Sequence, residues 1–121
     1  MINKEDANIL IVDDIEDNRF TLERRLKRDN YKNIYSVDGG QAALDEVKKI
    51  DFDLILLDLM MPDISGLDVL KSLKSIPIIA LSAHAMDEHK QRAMEAGCND
   101  YDTKPVDIDR LLSKINDQLK K

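Results

Sequence analysis

Residues 53–58 read DLILLD, an unbroken apolar run from Leu54 to Leu57 held between two carboxylates. A strand with one wet face alternates apolar and polar residues, so an unbroken run this short is the pattern of a strand buried on both faces. Ile9 to Val12 and Ile78 to Leu81 repeat it. Ile34 to Val37 makes a further strand candidate, and a weaker one lies around Asp100 to Thr103. Segments of helical period separate these runs. The clearest is the last, where Ile108, Leu111, Leu112, Ile115 and Leu119 form one apolar stripe behind Asp107, a residue suited to an N-cap. Ala43, Val47 and Ile50 trace a second stripe, and Leu67, Leu70 and Leu73 a third, entered through Ser65. A fourth helix is expected from His89 to Ala96, stopping at Gly97, which tolerates the left-handed conformation beyond a helix end. The first, Asn18 to Arg28, offers Phe20, Leu22 and Leu26 and rests on helix propensity as much as on pattern. Strand and helix in strict alternation predict an α/β fold, an open parallel sheet with helices on both faces. Functional groups of such sheets gather at the carboxyl ends of the strands.

Composition narrows the function classes. The chain has 121 residues, enough for one domain with its own core. Lys and Arg total 18 against 24 Asp and Glu, a formal net charge of -6, which disfavours direct nucleic-acid binding through the phosphate backbone. A single cysteine, Cys98, excludes an internal disulfide and fits a reducing compartment. No apolar run approaches the ~20 residues of a membrane span, and the polar N-terminus is unlike a secretory signal. A cytoplasmic protein without membrane insertion is expected.

The strand ends carry the chemistry. The first strand runs into Asp13 and Asp14, the third into Asp58, the fourth into Ser82 and the fifth into Lys104 and Pro105. Taken singly, Asp13 and Asp14 read as helix caps, Asp58 as a turn residue, Ser82 as a cap and Lys104 as a solubilising lysine. Their arrival at one edge of one sheet is what those readings leave unexplained. Carboxylates held close together either raise a pKa or bind a cation, and an oxygen-only donor set with room for water and phosphate oxygens suits Mg²⁺ better than Zn²⁺. A carboxylate beside such a metal is a competent nucleophile toward phosphorus. Lys104 adds a second positive charge toward a phosphoryl group, and the Ser82 hydroxyl a hydrogen bond. The set reads as a phosphoryl acceptor site.

LIVDD (10–14), DLILLD (53–58) followed by MMP (60–62) and SG (65–66), PIIALSA (77–83) and YDTKP (101–105) stand in this order and spacing. In them the chain resembles the receiver domain of two-component response regulators, the CheY-like superfamily, over essentially its whole length. The resemblance implies a flavodoxin-like sheet of five parallel strands in the order 2-1-3-4-5. It implies that Asp58 accepts the phosphoryl group, and that Asp13, Asp14, Asp58 and the backbone carbonyl of Met60 hold Mg²⁺, Asp13 through water. Ser82 and Lys104 would contact the phosphoryl group, and the Lys104–Pro105 bond would be cis. Ser82 and Tyr101 would act as the switch: Ser82 moves toward the phosphoryl group, Tyr101 turns inward, and the face of helix 4, strand 5 and helix 5 changes. The plain alternative for Tyr101 is a half-buried aromatic.

Some features depart from the common pattern. The stretch from Leu70 to Pro77 is short, and Ser82 stands where Thr is at least as frequent. Met60 and His84 occupy the positions that tune hydrolysis; Met60 cannot orient a water, which favours a long-lived phosphoryl group, while His84 leaves the lifetime open. A haloacid-dehalogenase-like phosphohydrolase would need a second carboxylate where Met60 sits. A nucleotide-binding fold would need a Gly-rich loop after the first strand. His84 and His89 are not spaced as a metal pair on a helix. The expected partners are a histidine kinase or histidine phosphotransfer protein, met by the first helix and the loop after the fifth strand, and a downstream protein target. The expected protein is a single receiver domain over residues 1–121, not an enzyme beyond its own phosphorylation and slow dephosphorylation, monomeric or weakly dimeric. A receiver excised from a hybrid histidine kinase or multidomain regulator, and a phosphorylation-independent binding module, are the alternatives.

Overall fold

The computed structural model describes residues 3–59, 66–73, 75–83 and 87–120. Strands and helices alternate throughout: β1 (Asn8–Val12), α1 (Glu16–Arg28), β2 (Asn33–Val37), α2 (Gly40–Glu46), β3 (Leu54–Asp58), α3 (Gly66–Leu73), β4 (Ile78–Ser82), α4 (Asp87–Ala96), β5 (Asp100–Thr103) and α5 (Ile108–Leu119). All pairings are parallel, in the order β2-β1-β3-β4-β5. This is the sheet the resemblance implied.

Side chains alternate along each strand, and the alternation sorts the core into two layers. Ile9, Ile11, Leu54, Leu56, Ile79 and Leu81 face Leu22 and Leu26 of α1 and Leu111, Ile115 and Leu119 of α5. Leu10, Val12, Ile55, Leu57, Ile78 and Ala80 pack instead with Ala43 of α2, Val69, Leu70 and Leu73 of α3, and Ala93 of α4. Both faces of β1, β3 and β4 are therefore covered, which is why their sequences are apolar without a break. β2, at the sheet edge, is only partly buried and exposes Tyr35.

Three helices differ from expectation in a physically readable way. α1 begins at Glu16, two residues earlier, and Phe20 is 57% exposed. At about 100° per residue Phe20 lies nearly opposite Leu22, off the buried stripe. α2 ends at Glu46, yet Val47 and Ile50 still pack against the core from the turn that follows. α4 begins at Asp87 rather than His89 and ends before Gly97, whose φ of 119° confirms the left-handed stop. Asp107 caps α5, accepting a hydrogen bond from the Arg110 backbone N–H at 3.1 Å. The expected cap Ser65 lies outside the described residues.

Candidate functional site

Because β1 and β3 are neighbours at the centre of the sheet, the residues at their carboxyl ends are neighbours too. Asp13, directly after β1, is 1% exposed. Its Oδ1 accepts the Ile15 backbone N–H at 2.9 Å and its Oδ2 the Asn18 amide at 3.3 Å, while its carbonyl accepts from the Arg19 guanidinium at 2.7 Å. The entry into α1 is thus wrapped around Asp13. Asp58 is the last residue of β3 and is 2% exposed, a buried strand end rather than a turn residue. Asp14 is exposed at the rim. One carboxylate oxygen from each of Asp13, Asp14 and Asp58 falls within 4.8 Å of the others.

Lys104 reaches into this cluster from the end of β5. Its ammonium lies 3.2 Å from Asp13 Oδ2 and 3.2 Å from Asp58 Oδ2. Its backbone N–H donates to the Ser82 carbonyl at 2.8 Å, and the following bond to Pro105 is cis. Burial works against the charged amine, but Asp58 and Asp13 outweigh it and raise the lysine pKa above its ordinary value. Among the described residues, the Lys104 ammonium and the Arg19 guanidinium on the Asp13 carbonyl stand against three carboxylates, so the pocket stays anionic. Oxygen donors with an exposed member at the rim suit a hard divalent cation, which Asp13, Asp14 and Asp58 could hold.

Ser82 ends β4, buried, and pairs in register with Thr103. Tyr101 is 4% exposed in the layer beneath α4, with Ala93 and Cys98. It is therefore a buried aromatic, more enclosed than the half-buried one of the plain reading. Met60 and His84 lie outside the described residues.

A model of the response regulator receiver domain matches residues 9–116. The chain belongs to that family. The cell cycle transcriptional regulator CtrA of Caulobacter vibrioides is 37% identical over 112 residues, covering 89% of this chain and 48% of that protein. The chain therefore spans about half the length of the curated relatives it matches. The receiver domain of the Francisella response regulator 1452 superposes with a TM-score of 0.89 at 28% identity, over 95% of this chain and 98% of that one. The BeF3-activated DrrB receiver domain gives 0.86 at 26% identity, over 95% and 98%. No helix among the described residues is long and apolar enough to cross a membrane.

Several residues that brace this receiver's pocket or its strand β5 escaped the sequence reading. Asn18 and Arg19 are ordinary polar residues of a helix until the fold turns them back onto Asp13. Asp102 in β5 is buried and bound to Arg110 of α5, with Arg110 Nη2 2.6 Å from Asp102 Oδ1. Lys114 donates to the Tyr101 carbonyl at 2.6 Å and lies 3.5 Å from Asp100. The signal was the charge itself: β5 looked a weak strand because Asp100 and Asp102 interrupt it, and both point toward basic residues of α5.

Proposed function

We propose that this receiver takes a phosphoryl group onto Asp58 and uses it to control a protein contact. The observation that carries the reading is the buried Asp58 carboxylate, held 3.2 Å from the Lys104 ammonium beside Asp13 and Asp14. An oxygen of Asp58 attacks phosphorus, the bond from phosphorus to the donor nitrogen or oxygen breaks, and an acyl phosphate forms. Negative charge develops on the phosphoryl oxygens, where Lys104 can leave Asp58 and follow the charge and the Ser82 hydroxyl can donate a hydrogen bond. Asp13, Asp14, Asp58 and the Met60 carbonyl would hold Mg²⁺, which supplies charge neutralisation when bound. Met60, bearing no donor or acceptor fit to orient water, favours a long-lived phosphoryl group, and His84 is the second position that tunes it.

Residues 1–121 act in this reading as one receiver unit. The phosphodonor is a histidine kinase or histidine phosphotransfer protein. Ile15, just ahead of α1, and Phe20 within it, 51% and 57% exposed, offer it apolar anchors. A cleft of about 260 Å³, lined by Asn18, Thr21, Leu22, Pro105 and Val106 among others, continues that surface to the loop after β5. Output passes through Ser82 and Tyr101 to the α4–β5–α5 face and a downstream protein target. A second reading, favoured by relatives about twice as long, places the same chemistry within a larger regulator.

Intact mass after incubation with acetyl phosphate tests the acceptor. One added phosphoryl group is expected, requiring Mg²⁺ and lost in Asp58→Asn. BeF₃⁻, the group in the activated DrrB structure, serves as a probe that hydrolysis cannot hide. No adduct together with no BeF₃⁻ binding would overturn the proposal in favour of a phosphorylation-independent binding module.

A further inference from the structure

Asp102 and Arg110 close the segment that carries Lys104. We propose that this pair is a clasp that positions Lys104 for phosphoryl binding, an inference that rests on Asp58 being the acceptor. Asp102 sits two residues before Lys104 on β5, and Arg110 lies in the first turn of α5, so their bond joins the two ends of residues 103–109.

The geometry of the bond is lopsided. Asp102 Oδ1 takes the Arg110 Nε–H at 2.9 Å, Arg110 Nη2 at 2.6 Å and the Thr103 backbone N–H at 2.8 Å. Oδ2 is buried and has no hydrogen-bond partner. A pair free to optimise itself would set one guanidinium nitrogen against each oxygen. Here Thr103, the residue adjoining Lys104, fixes the carboxylate by its own N–H, and the guanidinium must come to the oxygen so presented. The bond therefore ties α5 to the backbone at the base of Lys104. Arg110 is anchored a second time through its backbone N–H on Asp107, so the clasp is held from the helix side as well.

Losing the guanidinium leaves Asp102 buried and uncompensated, a state that drives the end of β5 toward water. Lys104 moves with it and its ammonium withdraws from Asp13 and Asp58. Two consequences of opposite sign follow. A pocket relieved of its ammonium is more anionic and binds a divalent cation at least as well, whereas a phosphoryl group loses a cationic partner. General loosening of the fold would weaken both.

The test compares Mg²⁺ binding by calorimetry with BeF₃⁻ binding in the presence of saturating Mg²⁺, for the parent chain, Arg110→Ala, Arg110→Lys and Asp102→Leu. The last removes the clasp without burying an uncompensated charge, and so answers the question should Arg110→Ala fold poorly. For Arg110→Ala and Asp102→Leu, BeF₃⁻ binding is expected to weaken about tenfold, the scale of lost outer-shell support. Mg²⁺ binding should hold or tighten, and Arg110→Lys should recover part of the loss. BeF₃⁻ affinity equal to the parent's in Asp102→Leu would overturn the clasp, as would parallel weakening of both ligands. A parent chain that binds no BeF₃⁻ overturns the acceptor reading itself, and the clasp with it; the two failures are told apart by which protein shows them.

Discussion

Cys98 shows how strongly one side chain's surroundings govern its chemistry. Its thiol is buried beneath α4 and donates to Met94 Sδ at 3.4 Å. Burial, aided by the Asp100 charge, pushes its pKa up to about 11. A thiol whose folded pKa exceeds its unfolded value of 9.0 contributes stability that is fully present below pH 9 and is lost as pH rises through 11. Unfolding free energy should fall by about 2 kcal/mol across that window through this group. Urea titrations should record a shallower fall between pH 9 and 11 in Cys98→Ala, and iodoacetamide should label the parent slowly at pH 7. Lys104 presents the opposite case, a cation held by two buried anions. Without divalent cation, Lys104→Met should lose about 3 kcal/mol of stability, because it leaves the buried Asp13 and Asp58 facing each other uncompensated. Adding Mg²⁺ should restore more stability to that variant than to the parent, a comparison readily made in urea.

At the level of the elements, the end of α5 beside the pocket rests on one hydrogen bond that can be removed cleanly. Asp107→Ala deletes the acceptor for the Arg110 N–H and should cost about 1 kcal/mol, read as a lowered urea midpoint with unchanged slope. That cap was legible in the sequence, as were β1, β3 and β4, because both depend on local pattern alone. α2 was read too long because Val47 and Ile50 are core residues, and burial periodicity cannot distinguish a helix from the turn that prolongs its line. β5 was read as weak because two aspartates break its apolar run; their partners, Arg110 and Lys114, are supplied by a helix further along the chain. The pocket carboxylates were legible for another reason. Each stands at the end of a recognisable strand, and a parallel sheet sends all such ends to one edge. Asn18, Arg19 and Asp102 had no such marker, since their importance comes from contacts that exist only once the chain is folded.

For the molecule as a whole, strand order converts an ordinary distribution of acids into a concentrated one. From β1, inside the sheet, the chain runs out to β2 at the edge and then returns past β1 to β3, so Asp13 and Asp58 come together although 45 positions separate them. Folding thus brings mutually repelling carboxylates together, and the part of their repulsion that Lys104 does not offset subtracts from stability unless a divalent cation binds. A ligand bound only by the folded form adds RT ln(1 + [L]/Kd), about 2.7 kcal/mol when its concentration is 100 times Kd. Mg²⁺ at that excess should therefore raise the melting temperature by several degrees, with a dose dependence that follows Kd. Asp14→Asn provides the decisive control. Asp14 is exposed and supplies no core contact, so the variant should fold as stably as the parent, or slightly more so, in chelator. It should lose most of the Mg²⁺-dependent rise, because a carboxylate of the proposed set is gone. An equal rise in both proteins would place the stabilising cation elsewhere on a surface of net charge -6, and thermal scans over a Mg²⁺ series would settle which holds.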